Sequence, residues 1–184
     1  MKFITAILIL LTLVSCDPKE EPTTTSPKPS PTPTIPSPDS NLPLIEKLAK
    51  IYKNKEVAYP KLKAVTLAQW ILESGWGKSK LAQEHNNFGG LKWRGDLGVP
   101  GVVKVRYKAW DGYDDYTKLP TVESYIDFYW KFIGRDVYKG FEKYKDDPKG
   151  YIEFINRAGY TPPLSYYKEV ISLIPKAQEL LDKF

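Results

Sequence analysis

From Leu44 to the end of the chain, apolar residues recur every three or four positions, the period of an amphipathic helix. The spacing predicts helices over about 43–53, 60–74, 78–83, 121–133, 136–144, 149–158 and 164–182, the last interrupted or kinked at Pro175. Between Leu91 and Lys118 the pattern changes. Val99-Pro100-Gly101 and Asp111-Gly112 supply turn residues around the β-prone run from Val102 to Tyr107, which predicts a small antiparallel hairpin or sheet. The expected fold class is α+β, a mainly helical body with a small antiparallel β lobe.

The helix over 60–74 carries the most chemistry. Pro60 suits a first turn, where its missing N–H would have had no partner, and Gly75 is the expected stop. Leu62, Val65, Ala68, Ile71 and Leu72 form an apolar stripe, while Thr66, Gln69 and Glu73 recur at i, i+3 and i+7 on another face. That spacing directs Glu73 away from the core proper. A carboxyl in the last turn faces the negative end of the helix dipole, and Trp76 beside it can exclude water; both effects favour the protonated acid. Glycosidic cleavage needs such a group, because an alkoxide leaves poorly and must take up a proton as the bond breaks.

These residues carry a family resemblance. Ala68-Gln69-Trp70-Ile71-Leu72-Glu73-Ser74-Gly75-Trp76-Gly77, followed by Asn86-Asn87-Phe88-Gly89-Gly90-Leu91-Lys92-Trp93, resembles the glucosaminidase family of peptidoglycan hydrolases, typified by flagellar and autolysin N-acetylglucosaminidases. Ser124-Tyr125-Ile126-Asp127-Phe128 and Ala158-Gly159-Tyr160 resemble two further family segments, so the likeness runs from about Leu44 to the C-terminus. It implies a lysozyme-like α+β fold with a cleft between helical body and β lobe, and Glu73 as the catalytic acid. It also implies that Tyr160 lines the cleft, where a phenol could orient the substrate's acetamido group or steady the charge developing at the sugar ring. Thr161-Pro162-Pro163 departs from the family's segment after this tyrosine and lacks its aspartate.

The β lobe departs as well. Many members place a second catalytic glutamate there, whereas this chain has none between Glu84 and Glu123. Asp111, in a Trp-Asp-Gly turn, is the leading substitute; Asp96, Asp114 and Asp115 are alternatives with an ordinary role as turn or surface residues. The substrate's own 2-acetamido oxygen is the other route to the anomeric carbon. Trp76 and Trp110 are candidate platforms for sugar rings, as is Trp93, although a tryptophan is by default a core residue. Asn87 and Phe88, with Asn86 and Gly89, are expected to shape the loop beneath the cleft, Asn87 and Phe88 within reach of substrate.

The N-terminal segment reads differently. Lys2 and the apolar run from Phe3 to Val14 form a secretion signal, too short for a stable bilayer span. Leu13-Val14-Ser15-Cys16 resembles a bacterial lipobox, which implies a lipid-modified Cys16. Residues 17–43 hold nine of the sixteen prolines and almost no apolar side chains; as an extended spacer at about 3.1 Å per residue they would reach on the order of 80 Å. The expected organisation is a signal over 1–15, a lipidated tether over 16–43 and a catalytic domain over 44–184.

That domain carries 24 basic against 18 acidic residues, a net charge of +6, which suits an anionic partner. Export makes nucleic acid a poor candidate and the cell wall a good one. A single histidine, His85, and a single cysteine argue against a metal site, and no cofactor is implied. The favoured reading is a monomeric, membrane-anchored endo-β-N-acetylglucosaminidase facing the wall or periplasm. A muramidase or lytic transglycosylase on the same fold is the alternative enzyme, and a wall-binding lipoprotein without turnover the non-enzymatic one.

Overall fold

A computed structural model describes residues 41–109, 112–160 and 164–184. They fall within the unit Pro36–Phe184, so the signal, Cys16 and nearly all of the tether lie outside the described residues, as do Trp110 and Asp111.

Helix α1 is Leu44–Asn54. A 3₁₀ turn at Pro60–Leu62 leads into α2, Lys63–Ser74, with proline in the first turn as expected. Helix α3, Lys80–His85, begins at Ser79, whose hydroxyl accepts from Ala82 N. Strands β1, Val103–Ala109, and β2, Gly112–Lys118, pair antiparallel with Val103 opposite Lys118. Helix α4, Val122–Ile133, opens with a reciprocal capping box between Thr121 and Ser124. Helices α5, Pro148–Arg157, and α6, Leu164–Asp182, complete the body, and α6 runs through Pro175 as one element.

The helix expected over 136–144 does not form. Gly140 sits at φ 97°, outside the helical region, and divides the segment into two short 3₁₀ turns, Asp136–Tyr138 and Phe141–Tyr144.

Helix α2 is the centre of the body and packs most extensively on α6. Every side chain from Val65 to Ile71 is buried, Thr66 and Gln69 included. This corrects the view of Thr66, Gln69 and Glu73 as a face turned from the core. Their stripe is buried against tyrosines: Tyr52 shares a 2.8 Å hydrogen bond with Thr66, and Tyr129 donates to Gln69 Oε1 at 2.6 Å. Trp70 lies between Tyr52, Tyr125 and Tyr129 with ring centroids 4.6–5.1 Å away. Truncating a fully buried ring of this kind costs about 3–5 kcal/mol.

The hairpin is tied to the loop before it by backbone hydrogen bonds from Trp93 N to Asp115 O and from Thr117 N to Leu91 O, and by one buried side-chain amide. Asn87 Nδ2 donates to Leu91 O and Thr117 O, both at 2.9 Å, and its Oδ1 accepts from Leu91 N at 2.8 Å. Phe88 is fully buried beside it, 5.1 Å from Tyr125. Neither side chain is placed to touch a sugar, so the expectation that both bind substrate is corrected: they hold the loop.

Candidate active site

Helix α2 ends in a Schellman cap. Trp76 N donates back to Ile71 O at 2.9 Å and Gly75 N to Leu72 O at 3.2 Å. Gly75, Trp76 and Gly77 follow one another at φ 55°, 62° and 74°. Glycine takes this conformation freely and tryptophan does not, so the turn that displays Trp76 carries backbone strain. Ser74 supports it: its hydroxyl donates to Trp70 O at 2.6 Å and accepts from Gly77 N at 2.8 Å. Trp76 is left 39% exposed, a flat surface one turn from the acid.

Glu73 is the last helical residue but one, half-buried, among side chains from three distant parts of the chain. Tyr125 of α4, Tyr160 before α6 and Tyr166 of α6 all stand close enough to feel its charge. Burial pushes the Glu73 carboxyl above the usual carboxylate range, and the Tyr166 hydroxyl, which favours the ionised form, pulls it part of the way back. The helix-terminal carbonyls act with burial, not against it. Tyr166 Oη reaches both Gln69 and Glu73 but aligns a good hydrogen bond with neither. Gln69 Nε2 and Tyr125 Oη are likewise buried without a partner. Three polar groups thus surround the acid with hydrogen-bonding capacity to spare.

The hydroxyl of Tyr160 turns inward and donates to Gly89 O at 3.1 Å, across 71 residues of sequence. A side chain at Gly89 would collide with it: a Cβ there would lie 2.9 Å from Tyr160 Oη and 2.8 Å from Tyr125 Oη. That bond ties Tyr160 to the glycine loop and leaves the hydroxyl's lone pairs as acceptors. Tyr125 and Tyr166 were not anticipated as site residues. The available signal was composition: 13 tyrosines against 7 phenylalanines is an excess of hydroxyls for a helical core.

The described aspartates of the β lobe are engaged elsewhere. Asp114 pairs with Lys92 at 2.5 Å, which with a backbone hydrogen bond holds its carboxyl below the usual range. Asp115 pairs with Lys104 at 3.1 Å and Arg106 at 3.8 Å. Asp96 accepts from Gly98 N at 2.8 Å in a tight turn. Trp93 is half-buried and packs on the core. Among the described residues no three histidine, cysteine, aspartate or glutamate side chains converge as metal ligands.

A half-buried acid at a helix end with an exposed tryptophan close to it in the chain is an arrangement suited to glycoside hydrolysis. A family model described as glucosaminidase, mannosyl-glycoprotein endo-beta-N-acetylglucosaminidase, matches residues 49–179, and the chain belongs to that family. Two solved structures are similar to it. A peptidoglycan hydrolase mutant from Sphingomonas sp. A1 is 19% identical with a TM-score of 0.49, covering 79% of this chain and 97% of its own. The catalytic domain of the autolysin Auto from Listeria monocytogenes is 21% identical with a TM-score of 0.44, covering 76% and 80%. No curated protein matches the chain.

Proposed function

We propose that the chain cleaves the β-1,4 bond between GlcNAc and MurNAc in peptidoglycan, with Glu73 as the general acid. The observation that carries this reading is the placement of Glu73, half-buried among tyrosines at the end of α2, where burial favours the protonated carboxyl. A carboxyl that burial makes a weaker acid than usual keeps its proton more readily, and that proton can pass to the leaving oxygen as the glycosidic bond breaks. The positive charge at the anomeric carbon is then met by a second oxygen, from Asp111 or from the substrate's 2-acetamido group. Trp76 offers the apolar face of a sugar a surface to lie on.

The test is mass spectrometry of fragments released from purified peptidoglycan, before and after borohydride reduction. Reduced GlcNAc at the new ends supports the proposal, reduced MurNAc would make the chain a muramidase, and a non-reducible anhydro end a lytic transglycosylase. A folded chain that sediments with the wall and releases nothing would be a binding module. The same assay on Asp111→Asn separates the two routes: a large loss assigns Asp111, and near-normal turnover assigns the acetamido oxygen.

The finer placement is part of the proposal. Cys16 is read as a lipid anchor and the proline-rich stretch behind it as a spacer that holds a monomeric domain off the membrane. An acylated Cys16 at the mature N-terminus, seen by mass spectrometry of the protein extracted from membranes, is the expected result; an unmodified cysteine would remove the anchor.

A further inference from the structure

A cavity of about 470 Å³ is lined in part by Gly89 and by Tyr160, the tyrosine that also feels the charge of Glu73. Its chemistry is unlike that around Glu73. Arg94, Arg135 and Lys92 line it and no carboxylate does. Lys92 is engaged by Asp114, whereas Arg94 and Arg135 form no ion pair among the described residues.

Arg135 is held rather than loose. Its guanidinium lies 3.7 Å from the centre of the Phe132 ring and 5.5 Å from that of Tyr138, and Nε donates to Phe132 O at 2.9 Å. One edge of the fork is thereby fixed and its terminal nitrogens stay beside the Tyr138 hydroxyl. Arg94 is braced by a 2.7 Å hydrogen bond from Nη1 to Trp93 O and lies close enough for the two charges to repel. The cavity thus presents two guanidiniums, one half-buried and one exposed, with no carboxylate in its lining to neutralise them. The planar fork of arginine fits a carboxylate well.

We propose that this cavity is an anion subsite, in which Arg94 and Arg135 grip a carboxylate carried by the glycan strand while Glu73 acts on the bond next to it. The inference rests on the peptidoglycan reading above. MurNAc supplies such a group as its lactyl acid or through its peptide, and GlcNAc does not. The subsite would set the register of the strand, putting a charged sugar on one side of the scissile bond and a neutral one on the other.

The experiment compares kcat/KM of the full chain on peptidoglycan strands and on an uncharged GlcNAc oligomer of similar length. Arg94→Gln with Arg135→Gln should lower kcat/KM on peptidoglycan by about ten- to a hundred-fold more than on the oligomer, the size of a charge-assisted hydrogen bond, with the change mainly in KM. Arg135→Lys, which keeps the charge, should recover part of it. Arg94→Gln alone, at an exposed position, should show the same preference even if the double variant folds poorly. Equal losses on both substrates, or none, would overturn the subsite. Should the wild type cleave neither, the glucosaminidase reading fails, and titration with muramyl dipeptide then decides the subsite separately. Binding weakened about ten-fold in Arg94→Gln sustains it, and binding that is unchanged, or displaced equally well by inorganic phosphate, removes the carboxylate assignment.

Discussion

The end of α2 and the β hairpin both carry carboxyls, and they treat them in opposite ways. Glu73 is set among aromatic rings and its acidity is weakened by burial. Asp114 sits on the hairpin surface, where Lys92 and a backbone N–H strengthen its acidity. The first is shifted toward its protonated form and the second toward its charged form. Both begin as the same functional group, so the difference comes from what surrounds them, a rigid apolar body in one case and solvent with a partner lysine in the other.

The largest test of this contrast is Glu73→Gln. Glutamine keeps the shape but cannot donate the proton, and turnover should fall by about 10²- to 10⁴-fold with the circular dichroism of the fold unchanged. The same variant reports on stability. Because the folded carboxyl titrates above its ordinary value of 4.5, the stability it contributes is full below that pH and is lost as pH rises through the folded value. Glutamine does not titrate. The melting temperature of the variant should therefore gain on wild type as pH rises across that window, and a difference independent of pH would mean the acid is not perturbed.

A smaller effect is expected from Tyr166→Phe. The hydroxyl favours ionised Glu73, so its removal should move the carboxyl further up and carry the basic limb of the pH–rate profile to higher pH, with a loss of roughly ten-fold or less in kcat. A limb that stays in place would show that Tyr166 only fills space. The smallest effect belongs to Asp114→Asn, which breaks one exposed ion pair and should leave the melting temperature nearly unchanged and turnover within about two-fold of wild type. A large loss there would make the hairpin a second source of catalytic carboxylate and erase the contrast.

Much of this layout is legible in the residues. Pro60 and Gly75 bracket the helix that ends at Glu73 and Ser74, and the turn signal at Asp111-Gly112 falls where β1 has ended at Ala109 and β2 begins at Gly112. Two features were misjudged for physical reasons. Thr66 and Gln69 look like a solvent face by period, but a period cannot distinguish a polar stripe in water from one answered by buried tyrosine hydroxyls. Asn87 looks like a loop-shaping residue within reach of substrate, yet all three of its side-chain bonds go to the backbone at Leu91 and Thr117.

The sequence by itself determined the segments, the cap that stops α2 and the position of the acid in its last turn, because helix capping and turn formation are satisfied within a few residues of chain. It also determined the family, through contiguous motifs. Only the tertiary structure decided what meets the acid and what lies beside it. Tyr125, Tyr160 and Tyr166 reach Glu73 from the far half of the chain, and Arg94 and Arg135 come to one cavity from a loop and from the segment after α4. Those meetings depend on how α2, α4 and α6 pack, and packing is settled by the burial of the whole core, which no local pattern records.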